Sequence, residues 1–100
     1  MLVFRWQAGT PPTADQIKMI LIGEGLEPKE EVFLRAEKQI EKKHPFGEVR
    51  FVAEGELLLN VAGTQLLLRT GDRIEIPANT KHSYSAQAST AITYFSHRPY

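Results

Sequence analysis

The stretch that decides the fold runs from residue 71 to residue 82 and reads Gly71-Asp72-Arg73-Ile74-Glu75-Ile76-Pro77-Ala78-Asn79-Thr80-Lys81-His82. Ile74 and Ile76 alternate with charged residues, which predicts a short strand with one apolar face. Pro77 starts a turn in which Asn79 can adopt a positive φ, a conformation that glycine and asparagine tolerate best. His82 then opens a second strand. The stretch therefore predicts two short strands joined by a tight turn.

The chain on both sides of this stretch repeats the pattern of short apolar runs separated by turns. Besides residues 73–76, strands are predicted over residues 2–6, 49–53, 57–62, 64–69, 82–87 and 90–96. Short strands at this spacing are typical of a sandwich or a barrel. One short helix is predicted over about residues 14–22, because Thr13 is a suitable N-cap and Gly23 a suitable end.

Two segments are less regular. Residues 29–43 are ambiguous, because residues 29–38 favour a helix on propensity whereas the alternation of Ile40, Lys42 and His44 suits a strand. Local propensity slightly favours the helix. The leucines at 57–59 and 66–68 do not alternate with polar residues. Both faces of those strands are therefore expected to be covered, one by the core and one by a second copy in a homodimer.

Length and composition limit the classes of protein to consider. One hundred residues are enough for one domain, here residues 1–100. The 12 basic and 12 acidic residues cancel, so nucleic acid is not expected as a partner. The chain has no cysteine, which removes disulfides and thiolate sites and fits a cytoplasmic protein. Neither a membrane-spanning apolar run nor a signal peptide is recognisable, so no membrane partner is expected.

A few polar residues could carry chemistry. His44 and Glu48 offer an imidazole and a carboxylate that could ligate one divalent ion if the intervening turn brings them together. Arg50 alternates with Glu48 and should face the interior, where it needs a carboxylate or an anionic ligand. Tyr84 shares a strand face with His82 and is expected as pocket wall. His97 follows the last strand and is expected at the surface.

The segments 42–55 and 71–86 resemble the paired motifs of the cupin superfamily. The first motif of that family is a His-x-His pair followed by a glutamate and a glycine, and His44, Glu48 and Gly55 match it. The second motif begins with glycine and continues through proline to histidine, as Gly71, Pro77 and His82 do. The resemblance implies an all-β fold, a cupin-type double-stranded β-helix or jelly-roll barrel with one short N-terminal helix. The stretch 48–51 also resembles acireductone dioxygenases.

The resemblance implies a metal site on His44, Glu48 and His82. The expected ion is a divalent transition metal, Fe, Ni, Mn or Zn, and no organic cofactor is implied. One departure matters most, because Lys42 stands where the family has its first histidine, and a protonated lysine cannot ligate a metal. Either the three remaining ligands hold the ion with water, or no metal binds and Lys42 pairs with Glu48.

The same resemblance leaves three functions open. The first is a metal-dependent oxygenase or isomerase that acts on a small polar or anionic molecule, with Lys42, Arg50 and Tyr84 lining the ligand pocket. The second is a non-catalytic binding or sensing cupin whose metal site is impaired by Lys42. The third is a structural role through a homodimer. Fold alone does not decide among these functions.

Overall fold

A computed structural model describes residues 1–37 and 40–98 of the chain. In chain order these residues form β1 (Leu2–Phe4), α1 (Ala14–Gly23), β2 (Lys29–Phe33), β3 (Glu48–Glu54), β4 (Leu57–Val61), β5 (Thr64–Leu68), β6 (Arg73–Ile76), β7 (His82–Ser85) and β8 (Ala91–His97). The strands build two antiparallel sheets, one in the order β1-β6-β3-β8-β2 and one in the order β5-β4-β7. The arrangement confirms the expected all-β jelly-roll with one short helix.

The core that joins the two sheets is apolar and well buried. Its members come from the strands of both sheets and from the chain next to them: Phe33, Val52, Leu57, Leu59, Leu68, Ile74, Ile76, Tyr84, Ala86 and Ala91. Ile74 and Ile76 belong to this core, as their alternation with charged residues predicts. The burial of this face fixes the register of β6 between β1 and β3.

The turn after β6 connects the two motif segments. Asn79 has a φ of 60°, which confirms the positive φ expected at that position. Its backbone N–H donates to the carbonyl oxygen of His44 at 2.6 Å. The turn of the second segment therefore holds the backbone of a residue in the first segment, next to the candidate site.

Helix α1 covers the outer face of the larger sheet. The side chain of Thr13 accepts a hydrogen bond from the backbone of Gln16, whose own side chain accepts from the backbone N–H of Thr13, so a capping box begins the helix. Ile17 and Leu21 are fully buried and pack in a second cluster with Val49, Phe51 and Tyr94. No described helix is long and apolar enough to cross a membrane. The cytoplasmic location stays a prediction from the sequence.

The slight preference for a helix over residues 29–38 is wrong where the structure describes them. Residues 29–33 form β2, which pairs with β8 over its whole length. Phe33 is only 3% exposed and belongs to the core, so burial and backbone pairing outweigh the helical propensity of the charged residues around it. Arg35 continues with an isolated bridge to Ala86. Residues 38 and 39 lie outside the described part of the chain.

Candidate metal centre

A cavity of about 120 Å³ lies between the candidate residues of the two motif segments. Residues of both sheets and of the segment before β3 line it: Glu31, Phe33, Ile40, Lys42, His44, Glu48, Arg50, His82, Ser83, Tyr84, Phe95 and His97. All six residues that the sequence assigned to a metal site or ligand pocket are among them. The fold therefore brings the predicted residues together, together with others that the sequence did not single out.

Glu48 is the buried acid of the cavity. It is the first residue of β3 and only 3% exposed. Its Oε2 accepts hydrogen bonds from Nε of Arg50, at 3.1 Å, and from the hydroxyl of Tyr84. Burial by itself would raise the pKa of Glu48, but the charge of Arg50 and these hydrogen bonds outweigh burial and lower the pKa below its ordinary value. Glu48 is therefore an ionised carboxylate whose Oε1 is not held by Arg50 or Tyr84.

Arg50 is buried on the same strand and is held by protein groups. Its Nη1 donates to Oγ1 of Thr93 at 2.7 Å, and its Nη2 lies 2.9 Å from Oε1 of Glu31. The guanidinium also lies over the rings of Tyr84 and Phe95, at 4.5 Å and 4.4 Å from their centroids. Arg50 faces the interior and pairs with carboxylates there. One guanidinium thus serves two carboxylates, which leaves a net negative charge among Arg50, Glu48 and Glu31.

Three side chains form a cluster that could hold an ion. Ligand atoms of His44, Glu48 and His97 all lie within 4.8 Å of one another. Nε2 of His97 is 3.5 Å from Oε1 of Glu48, the carboxylate oxygen that Arg50 does not hold. Burial lowers the pKa of His97 in spite of the neighbouring carboxylate, so its imidazole is neutral near pH 7 and keeps a free lone pair.

The prediction that His97 lies at the surface is wrong, because its side chain lines the cavity. Its side chain is 30% exposed and the residue pairs in register with Glu48 across β8 and β3. Phe46 packs on the ring of His97, with centroids 4.3 Å apart, and stacks on His44 at 5.2 Å. The alternation of Thr93, Phe95 and His97 along β8 was the available signal, but it does not reveal which strand lies beside β8.

His82 lies beside this cluster. It is 2% exposed, and its ring centroid is 5.7 Å from that of His44. Its Nδ1 is 2.9 Å from the carbonyl oxygen of Thr80, which favours a proton on Nδ1 and a free lone pair on Nε2. His82 is not part of the three-residue group found among the described residues. The metal role that the sequence gave to His82 stays a prediction.

Lys42 lines the cavity from a fixed backbone position. The backbone N–H of Lys42 donates to the carbonyl oxygen of His82 at 2.8 Å, and the backbone N–H of His82 donates to the carbonyl oxygen of Lys42 at 2.9 Å. The residue is exposed. The groups that contact the carboxylate of Glu48 in the described chain are Arg50, Tyr84 and His97. The ion pair that one alternative expected between Lys42 and Glu48 is therefore made by Arg50 instead.

Tyr84 forms part of the cavity wall. Its ring packs against Phe33, with centroids 5.6 Å apart, and edge-on against His82 at 5.4 Å. Burial raises the pKa of Tyr84 well above its ordinary value, so the hydroxyl stays protonated and donates a hydrogen bond to Oε2 of Glu48. Tyr84 thereby helps to orient the carboxylate.

The donor set fits a divalent transition metal. Neutral imidazoles and a carboxylate suit Fe, Ni, Mn and Zn. Three such donors, each about 2.1 Å from one ion, lie about 3.4 to 3.6 Å apart in tetrahedral or trigonal geometry. The donor atoms of this cluster lie within 4.8 Å of one another, so any pair would have to close by at most about 1.4 Å to reach that geometry. The carboxylates of Glu48 and Glu31 share one guanidinium and favour a cation, whereas the ammonium of Lys42 in the same cavity opposes one.

Comparison with known proteins agrees with the fold and the motifs. The family model described as "Cupin domain" matches residues 30–97. No curated protein matches the chain. Among solved structures, FeII HppE in complex with substrate is 21% identical with a TM-score of 0.66, and the match covers 75% of this chain and 47% of that one.

Two further structures have the same kind of similarity. The DMSP lyase DddQ from Ruegeria pomeroyi is 19% identical with a TM-score of 0.67, covering 73% of this chain and 38% of that one. A putative ethanolamine utilization protein from Salmonella typhimurium is 18% identical with a TM-score of 0.64, covering 77% of this chain and 60% of that one. This chain therefore spans roughly half the length of these proteins. At such identities the similarity shows a common fold.

Proposed function

We propose, from the premise that this chain belongs to the cupin domain family, that its cavity binds a divalent transition metal ion and a small polar ligand. His44, Glu48 and His97 would hold the ion, and Nε2 of His82 would be available as a further ligand. The observation that carries this proposal is the buried Glu48 with one oxygen beside the two histidines. The other oxygen is held by Arg50 and Tyr84, so the free one is oriented toward the cluster.

The balance of charge supports a cation at this place. Glu48 and Glu31 share the single guanidinium of Arg50, and Glu48 is almost inaccessible to water. An uncompensated carboxylate charge in such surroundings is unfavourable. A divalent ion on Oε1 of Glu48 would offset that charge, and the imidazoles of His44 and His97 would complete the contact.

The names of the structural neighbours support the same class of function. One is an iron(II) form crystallised with its substrate, and another is named as a lyase. When bound, the ion would supply Lewis-acid polarisation of a bidentate oxygen ligand, such as an enediol or a hydroxy-carbonyl compound, which suits an oxygenase or an isomerase. Neighbouring side chains would orient the three metal ligands. Arg50 and Tyr84 hold the carboxylate of Glu48, and the ring of Phe46 packs on His44 and His97.

The test is a measurement of metal content and metal binding. Protein purified without chelator should carry divalent metal by elemental analysis, and metal-free protein should bind added iron(II), nickel, manganese or zinc by calorimetry with one site per chain. Absence of metal after purification, together with no binding of any of the four ions, would contradict the proposal.

A non-catalytic binding or sensing role is the second candidate, and the position of Lys42 favours it. Lys42 occupies the first-histidine position of the family motif, so the ligand set there is incomplete. Replacing Lys42 by histidine is expected to raise metal affinity about tenfold or more, because it removes a positive charge and adds a donor. Calorimetry with zinc on both proteins measures this change. If the Lys42→His variant binds zinc no more tightly than the parent protein, Lys42 does not impair the metal site.

We also propose that the chain forms a homodimer. The leucine runs support it only in part, because Leu57, Leu59 and Leu68 are fully buried within one chain. Leu67 remains 36% exposed on β5, at one edge of the smaller sheet. An edge strand offers unpaired backbone groups to a second copy. Sedimentation velocity of a dilute sample should give a dimer, and a monomer would contradict this assembly.

A further inference from the structure

Among residues 1–37 and 40–98, the cationic side chains of Lys42 and Arg50 line the cavity, and of these two Lys42 is available to a ligand. We infer that Lys42 recognises the acid group of the ligand and that the ligand class is a small organic acid with a second oxygen donor. This inference rests on the proposed metal site and gives it a substrate class. It assigns a recognition role to a residue that departs from the motif of the family.

Arg50 is not free to bind an acid group. Each of its three nitrogens has a protein partner, in Glu48, Glu31 and Thr93, and its side chain is 3% exposed. An incoming carboxylate would have to displace Glu48 or Glu31 from the guanidinium. Such an exchange would leave a carboxylate of the protein without its cation, which is unfavourable for a buried group.

Lys42 has the opposite properties. Its backbone is fixed by two hydrogen bonds to His82, so the origin of the side chain at the cavity wall is well defined. The side chain itself is exposed, and no ion pair of Lys42 is found within residues 1–37 and 40–98. An acid group can therefore pair with the ammonium without breaking an interaction of the protein.

Charge in the metal-loaded cavity also favours an anion. The divalent ion more than offsets the single excess negative charge of Glu48, Glu31 and Arg50, and the ammonium of Lys42 adds to the positive total. The positive charge of Lys29 also acts on His97. The divalent ion and the ammonium of Lys42 repel each other in one small cavity, and an oxyanion between them relieves that repulsion. A neutral ligand would not.

The size of the cavity limits the ligand. One water molecule needs about 10–15 Å³ of cavity volume. A cavity of about 120 Å³ therefore admits a molecule of several non-hydrogen atoms. A short acid that carries a hydroxyl or carbonyl oxygen next to its carboxylate meets the limits of size and charge.

The experiment compares a small acid with a neutral analogue on zinc-loaded protein. Zinc affinity is measured first for the parent and for the Lys42→Met, Lys42→Arg and Lys43→Met variants, and pyruvate, glycolate and the neutral hydroxyacetone are then titrated by calorimetry. Lys42→Met should bind both acids about ten- to hundredfold more weakly, with little change for hydroxyacetone and no loss of zinc. Lys42→Arg should retain most of the affinity for the acids.

Lys43→Met is the matched control, since Lys43 is the next residue, is exposed and is not among the cavity-lining residues. It should bind the acids like the parent. If zinc binds and Lys42→Met leaves acid affinity unchanged, or if neither acid binds the parent, the inference about Lys42 is wrong and the metal site stands. If the parent binds no zinc, the proposed function and the inference that rests on it both fail.

Discussion

Replacing Arg50 by methionine is expected to lower the free energy of unfolding at pH 7 by about 3–5 kcal/mol. The change removes the guanidinium that holds the Oε2 of Glu48 and leaves that carboxylate, 3% exposed, without its cation. Methionine has similar length and keeps apolar contact with the rings of Tyr84 and Phe95, so the loss reflects charge more than volume. Urea unfolding of metal-free protein, followed by circular dichroism, measures it.

The loss should depend on pH in a defined direction. In the parent the pKa of Glu48 is lowered, so its contribution to stability is present above the unfolded-state pKa and disappears as pH falls through the folded-state pKa. In Arg50→Met burial remains but the counter-charge is gone, so the pKa of Glu48 should rise and the acid should fold protonated. The difference between the two proteins should therefore be largest near pH 7 and shrink below about pH 4.

Arg69→Met is the control for the loss of an arginine as such. Its side chain is 74% exposed and its Nε is 3.8 Å from a carboxylate oxygen of Glu56. The expected change is within about 0.5 kcal/mol, because exposed ion pairs contribute little. An effect of Arg50→Met as small as that of the control would mean that Glu48 does not depend on the guanidinium for its charge. Adding Glu48→Gln to Arg50→Met should recover part of the loss.

Replacing His97 by glutamine should weaken zinc binding by about a hundredfold or more. Changes to groups that only support a metal ligand typically cost ten- to a hundredfold, and His97 is proposed as a ligand itself. Glutamine keeps a polar side chain beside Phe46 and Glu48 but removes the imidazole nitrogen that lies 3.5 Å from Oε1 of Glu48. Calorimetric titration of zinc into metal-free protein gives the affinity, and thermal unfolding of the same samples shows whether the variant is folded.

His82→Gln is the matched comparison, because it makes the same change at the histidine that the motif assigned to the metal. The ring of His82 lies outside the group of mutually close donors, and its Nδ1 is held by the carbonyl oxygen of Thr80. Its loss is expected to weaken zinc binding about tenfold or less. A larger effect at His82 than at His97 would restore the ligand set expected from the motif, namely His44, Glu48 and His82.

Much of the barrel was predictable because its signals are local. The alternation of Ile74 and Ile76 and the turn at Pro77 act within a few residues, and the structure has the strand and the positive φ of Asn79 where they were expected. The N-terminal helix was predictable for the same reason, since Thr13 caps it within one turn. Glu48 and His82 were recognised from the motifs and Arg50 from its alternation with Glu48, and all three line one cavity.

The failures involve pairing between distant parts of the chain. Residues 29–33 have the propensity of a helix, and only their pairing with β8 and the burial of Phe33 make them a strand. His97 looks like a terminal surface residue until β8 is placed against β3, which puts it opposite Glu48. Neither neighbour can be deduced from the local sequence, because the free energy of strand pairing depends on side chains that meet only after folding.

The sequence by itself determined the turn geometry and face alternation of residues 71–82, because both depend on the backbone preferences of adjacent residues. The family of the fold came from the resemblance of two segments to the cupin motifs. Tertiary structure alone decided which groups share the cavity. In the folded chain Glu48 pairs with Arg50 and not with Lys42, and His97 lies beside His44. Strand register decides both, because it sets the distances between these side chains. The turn at Asn79 involves both: its positive φ is a local preference, and its backbone hydrogen bond to His44 is a tertiary contact.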